Sequence, residues 1–76
     1  MSDATIPALR PEALESFRYR RRLLTNRRQY LLNRAALETQ QRGKPKGTTN
    51  YRLRRAEQAI REYNSLAEDY GLQRIR

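Results

Sequence analysis

Apolar residues return along the first half of this chain at helical intervals, and between Glu12 and Arg42 no glycine or proline interrupts them. The run predicts a helix from Pro11 to Arg42, about 45 Å long at 1.5 Å per residue. At about 100° per residue, Ala13, Phe17, Leu24, Leu31 and Ala35 fall on one stripe. Leu23, Tyr30 and Leu37 form a second column at a spacing of seven, with Tyr19 beside it. Arg20, Arg27 and Arg34, also seven apart, stand between the two. An ordinary amphipathic helix sets its arginines opposite the apolar stripe. This one interleaves them, which points to a partner for the face rather than to a reaction.

Gly43 is a natural stop for that helix, and Pro45 bars its continuation. Residues 43–49 are expected to form a basic loop, with Thr48, Thr49 and Asn50 as candidate N-caps for a second helix from Asn50 to Tyr70. In it Leu53, Ala56, Ile60, Tyr63, Ala67 and Tyr70 alternate steps of three and four, the spacing of a coiled-coil seam. Gly71 then suits the left-handed position of a Schellman ending, with Leu72 against Ala67. Glu57 and Arg61 are placed for an i,i+4 ion pair. The expected fold is therefore all-α, a two-helix antiparallel hairpin that could assemble further into a bundle. A symmetrical fold-back at Pro45 pairs Ala35 with Ala56, Leu31 with Ile60 and Leu24 with Ala67. Residues 1–10 form an N-terminal tail, with Ile6 and Leu9 packing back. Residues 71–76 form a second tail, whose Leu72 and Ile75 are available to cover Phe17.

Composition narrows the picture. At 76 residues, 37% hydrophobic and a mean hydropathy of −1.09, the chain makes one small domain with a marginal core. Stability is expected to come from a partner, from a second copy or from nucleic acid.

Charge changes it more. Seventeen Lys and Arg against eight Asp and Glu give +9, and only Lys44 and Lys46 are not arginine. Arginine suits bidentate contacts to phosphate or carboxylate and stacks on rings and bases. From Arg18 to Arg55 the only acidic residue is Glu38, whereas the rest of the chain is mildly acidic. A hairpin gathers this charge along its shaft and tip, a field that attracts polyanions.

The candidate nucleic-acid contacts are Arg18, Arg20, Arg21, Arg27, Arg28 and Arg34 on the first helix, Arg42, Lys44 and Lys46 at the loop, and Arg52, Arg54 and Arg55 beyond it. Tyr19, Tyr30 and Tyr51 lie among them as stacking candidates. Tyr63 and Tyr70 are assigned to the hairpin core with Phe17, Leu24, Leu31, Ala35, Leu53, Ala56, Ile60 and Ala67. Arg42-Gly43-Lys44-Pro45-Lys46 resembles the core of an AT-hook, with Lys44 where that motif has an arginine. The same five residues also suit a helix-to-helix turn, in which Lys44 or Lys46 would touch phosphate.

Cysteine and histidine are absent, so thiol, disulfide and imidazole chemistry are excluded. No carboxylate pair or glycine-rich cradle suggests a catalytic or cofactor site. The expectation is a non-catalytic protein without metal or cofactor, binding DNA or RNA through phosphates with weak sequence specificity. The alternative is an adaptor, inhibitor or particle component docking its arginine–leucine face on an acidic protein. No membrane insertion is expected, and localisation is expected to be cytoplasmic, nucleoid- or particle-associated, and not secreted.

Overall fold

A computed structural model describes residues 9–76, and the expected packing of Ile6 lies outside them. The chain folds as two helices, α1 over Pro11–Arg42 and α2 over Gly47–Asp69, packed as an antiparallel hairpin with no strand among the described residues. It measures 57 × 23 × 15 Å, one helix thick in its shortest direction.

Both ends of α1 follow local chemistry. Arg10 is held extended before Pro11, which occupies the first helical position where its missing N–H costs nothing. At the other end Gly43 adopts φ 85°, and its N–H donates to the Thr39 carbonyl at 2.8 Å, a left-handed cap that a side chain would strain. α2 closes in a full Schellman motif. Leu72 N–H reaches the Ala67 carbonyl at 2.8 Å, Gly71 N–H reaches Glu68 at 3.1 Å, and Gly71 has φ 68°.

The start of α2 departs from expectation. The helix begins at Gly47, and the flanking residue is Lys46, without any side-chain cap from its own segment. Thr48, Thr49 and Asn50 lie inside the first turn. The cap comes from across the hairpin instead. Glu38 of α1, 3% exposed, accepts the Lys46 N–H at 2.8 Å on Oε1 and the Thr49 hydroxyl at 3.0 Å on Oε2. A carboxylate at the positive end of a helix satisfies an orphan donor and opposes the dipole.

That contact also sets the register. Glu38 meets Thr49, not the Leu53 that a symmetrical fold-back would place opposite it, and Arg28 pairs with Glu57 at 3.7 Å rather than facing Tyr63. The helices are offset by about a turn or more from the expected pairing. The expected Glu57–Arg61 pair is replaced by this cross-helix one, and Arg61 donates to Gln58 at 2.7 Å.

The core is a thin seam. Leu31, Ala56, Ile60, Tyr63, Ala67 and Ile75 are buried, and Phe17, Leu24, Ala35, Leu53 and Tyr70 are half-buried. Phe17 meets Tyr63 and Tyr70 edge-on, with centroids 5.9 and 5.7 Å away, each contact worth about 0.5–1.5 kcal/mol beyond its area. The α1 seam also contains Arg21 and Arg28, both half-buried, where the expected stripe held only apolar residues.

The segment after α2 belongs to this core. Buried Asn64 accepts the Ile75 N–H at 2.7 Å and donates to the Ile75 carbonyl at 2.9 Å, so one side-chain amide pairs with the backbone as a neighbouring strand would. Ile75 and Leu72 are thereby held on the Phe17–Ile60–Tyr63 cluster. Asn64→Ala strands both Ile75 groups, and a loss of about 1–3 kcal/mol in urea unfolding is expected. Ile60→Asp, an unpaired charge at the centre of the seam, should cost several kcal/mol, whereas Arg22→Ala on the exposed face should stay within about 0.5 kcal/mol. Equal thermal shifts for Ile60→Asp and Arg22→Ala would contradict this packing.

Candidate nucleic-acid interface

Two helices side by side leave a groove on each flank, and the two grooves differ. On one, the C-terminal segment lies against the open half of the hairpin. Arg21 donates to the Gln73 side chain at 3.3 Å and reaches the Arg74 carbonyl at 3.5 Å, while Arg28 donates to the Arg76 backbone oxygen and pairs with Glu57. Leu14, Phe17, Tyr63 and Leu72 line a small pocket at the open end of this side, and toward the loop half the same side opens into a larger groove of about 980 Å³ lined by Gln29, Leu32, Leu53, Arg54, Glu57 and Arg61. Arg21 and Arg28 were placed by composition among the candidate contacts, and the fold engages both internally.

The other flank has no segment of the described residues lying over it. Near the loop half, a groove of about 370 Å³ is lined by Leu24 and Arg27 from α1 and by Tyr51, Arg52, Arg55, Ala56 and Ala59 from α2. Its floor is leucine and alanine, its rims carry three exposed arginines, and no acidic side chain among the described residues lines it. Toward the open end the same flank continues past Phe17, Ser16 and Ala13, with Arg20 and Leu66 as its walls. Small residues at Ala56 and Ala59 leave the groove unfilled, and Arg27, Arg52 and Arg55 converge because the helix offset sets Arg27 opposite the first turns of α2.

No known protein family, characterised protein or solved structure matches this chain. The site therefore rests on its own geometry.

Arg20, Arg27 and Arg34 remain exposed along α1, about 10.5 Å apart at 1.5 Å per residue. That interval exceeds the rise of about 3.4 Å per phosphate along each strand of a duplex, which leaves room for each guanidinium to meet a different phosphate. Arg34 also donates from Nε to Glu38 at 3.1 Å, which orients its head without hiding it. Arg18 and Arg54 are exposed but outside the groove of Arg27, Arg52 and Arg55, Arg54 lining the larger groove beside Glu57, and Arg42, Lys44 and Lys46 are exposed at the tip. Tyr19 and Tyr30 are exposed on the outer side of the arginine column, and Tyr51 is exposed at the groove rim. The segment resembling an AT-hook is the inter-helix turn itself. Arg42 is helical and Lys46 is tied to Glu38, so the extended hook conformation is not adopted.

Glu38 and Asn64 were missed as fold-determining residues. Both carry a readable signal, since each falls on its helix's seam where an apolar residue is the norm. Glu38 is held below the usual carboxylate range, chiefly by the Lys46 N–H and further by the Thr49 hydroxyl and Arg34, against burial, which acts in the opposite direction. A carboxyl with a depressed folded-state pKa contributes stability that is fully present above its unfolded value and is lost as pH falls through the folded one. Thermal stability should accordingly hold from neutral pH down to about 4.5 and decline below it. Glu38→Gln should be less stable at pH 7 and flatten that decline in melting temperature measured from pH 7 to pH 3. An unchanged acid limb in the variant would show that other groups govern it.

Proposed function

We propose that this protein is a non-catalytic nucleic-acid-binding hairpin that holds its ligand by phosphate contacts along the open flank. The observation that carries this reading is the convergence of Arg27, Arg52 and Arg55 around an apolar floor without a carboxylate among the lining residues. Guanidinium groups gathered without counter-charge repel one another, and such an arrangement is favourable once an anion is bound. The only acidic residue in the sequence between Arg18 and Arg55 is Glu38, one charge against thirteen basic residues, and it is already engaged by Arg34, Lys46 and Thr49. Exposed Tyr51 at the rim adds a ring for a sugar or base.

Phosphate contact gives weak sequence specificity, because phosphates are alike at every base. Recognition of bases would require side chains placed along a groove edge, and the flank offers arginines over alanines instead. No helix among the described residues is long and apolar enough to cross a membrane.

The test compares two neighbouring arginines. In anisotropy titrations of a labelled oligonucleotide across a salt series, Arg27→Gln should weaken binding on all sequences alike. It should reduce the log–log salt slope by about 0.9 for a duplex or about 0.7 for a single strand. Arg28→Gln should leave that slope unchanged and instead lower the melting temperature, because Arg28 is engaged with Glu57 and Arg76. Unaltered affinity in Arg27→Gln would remove the open flank as the binding site, and a weakened complex with an acidic protein would replace the reading.

A further inference from the structure

The hairpin uses only one of two heptad seams that α1 carries. Outside the arginine column, Leu23, Tyr30 and Leu37 repeat every seven residues and are 51%, 60% and 48% exposed. Tyr19, Asn26 and Asn33 alternate with them at steps of three and four, all exposed. Single exposed leucines are ordinary on any protein. A repeat that keeps a/d spacing over six successive positions is not ordinary, and it carries leucine or tyrosine at four of them and asparagine at the two others, of which Asn33 accepts a hydrogen bond from Gln29 at 2.9 Å.

The flanks of this second seam identify the partner's charge. Arg20, Arg27 and Arg34 occupy the row beside it toward the groove, and Arg22, Gln29 and Ala36 the row on the other side. A second copy fits badly. An antiparallel pair would set Arg20 against Arg34 and Arg27 against Arg27. A parallel pair would set Arg22 against Arg27, with Glu15 against Arg20 as its one compensating contact. An acidic row is what complements three arginines seven residues apart.

We infer that α1 docks an amphipathic helix of a different protein, with apolar residues every seven positions and Asp or Glu on the edge facing Arg20, Arg27 and Arg34. From Tyr19 to Leu37 the seam is about 27 Å long, which calls for a partner helix of about five turns. This proposal does not rest on nucleic-acid binding. The two surfaces share the arginine column between them, so a docked acidic helix and a bound polyanion would compete for Arg27.

The experiment uses the full chain, treated with nuclease, at about 0.15 M salt. Two synthetic peptides of 25 residues serve as probes, both rich in glutamate and identical in composition. One carries leucine every seven residues with glutamate on the facing edge, and the other has its leucines moved out of register. The in-register peptide should bind at least about tenfold tighter by calorimetry, since only in that arrangement do its leucines leave water on docking. The double variant Leu23→Gln/Leu37→Gln should lose that advantage while melting at nearly the same temperature, because both leucines are exposed in the hairpin. Equal binding of the two peptides would show bare charge attraction and overturn the inference. So would sedimentation showing a dimer that the double variant dissociates, which would assign the seam to a second copy. Loss of single-stranded oligonucleotide binding in the double variant, with peptide binding kept, would make the stripe a base platform and overturn it as well.

Discussion

One buried carboxylate joins the three parts of this molecule. Glu38 leaves α1, accepts the backbone N–H that opens α2 and the hydroxyl of Thr49, and is held in place by Arg34. A charged group taken out of water is costly unless each lone pair is satisfied, and here the partners come from the preceding helix, the turn and the following helix together. The turn conformation, the start of α2 and the relative height of the helices are thus coupled. Shifting α2 along α1 by a turn would strand the carboxylate and leave α2 uncapped.

With the helices set at this height, the charge distribution follows. Arg28 lies within reach of Glu57, and Arg21 within reach of the segment after α2. Both arginines, seven residues apart, turn to the flank that the C-terminal segment covers, and Asn64 secures that segment through both polar groups of Ile75. Hydrophobic burial is modest in so thin a structure, so polar contacts of this kind carry an unusual share of the specification. Among the described residues the opposite flank has no such cover. Its alanines admit a ligand, and its arginines lack acidic neighbours in the groove.

A hairpin with one flank partly covered by its own C-terminal segment and carrying Glu57, and the other lined by arginines over alanine, is an asymmetric object. The same long helix serves α2 along one seam, presents Arg20, Arg27 and Arg34 beside it, and carries a further leucine–tyrosine seam beyond them. A 32-residue helix can support three such functions because its repeat of 3.6 residues spreads heptad columns around the surface without forcing them to share residues. The arginine column is the exception, lying between groove and outer seam and so available to either.

The sequence by itself determined the two helices, both glycine endings and the antiparallel return, because these depend on local events: Pro11 opening a helix, Gly43 and Gly71 taking positive φ, a three–four repeat along α2. The interleaved columns of α1 were legible for the same reason, since periodicity places residues around a helix regardless of what it packs against. Register was not legible. It depends on where Glu38 finds the Lys46 N–H, a contact across the turn that no local preference announces, and three reasonable N-cap residues masked it. The roles of the arginines were also undecided at that level. Arg27 and Arg28 are equivalent in composition and adjacent in the chain, yet 100° of helical turn places one over an open groove and the other against Glu57. Only the packing of α2 and its trailing segment distinguishes a guanidinium that holds the fold from one left facing solvent.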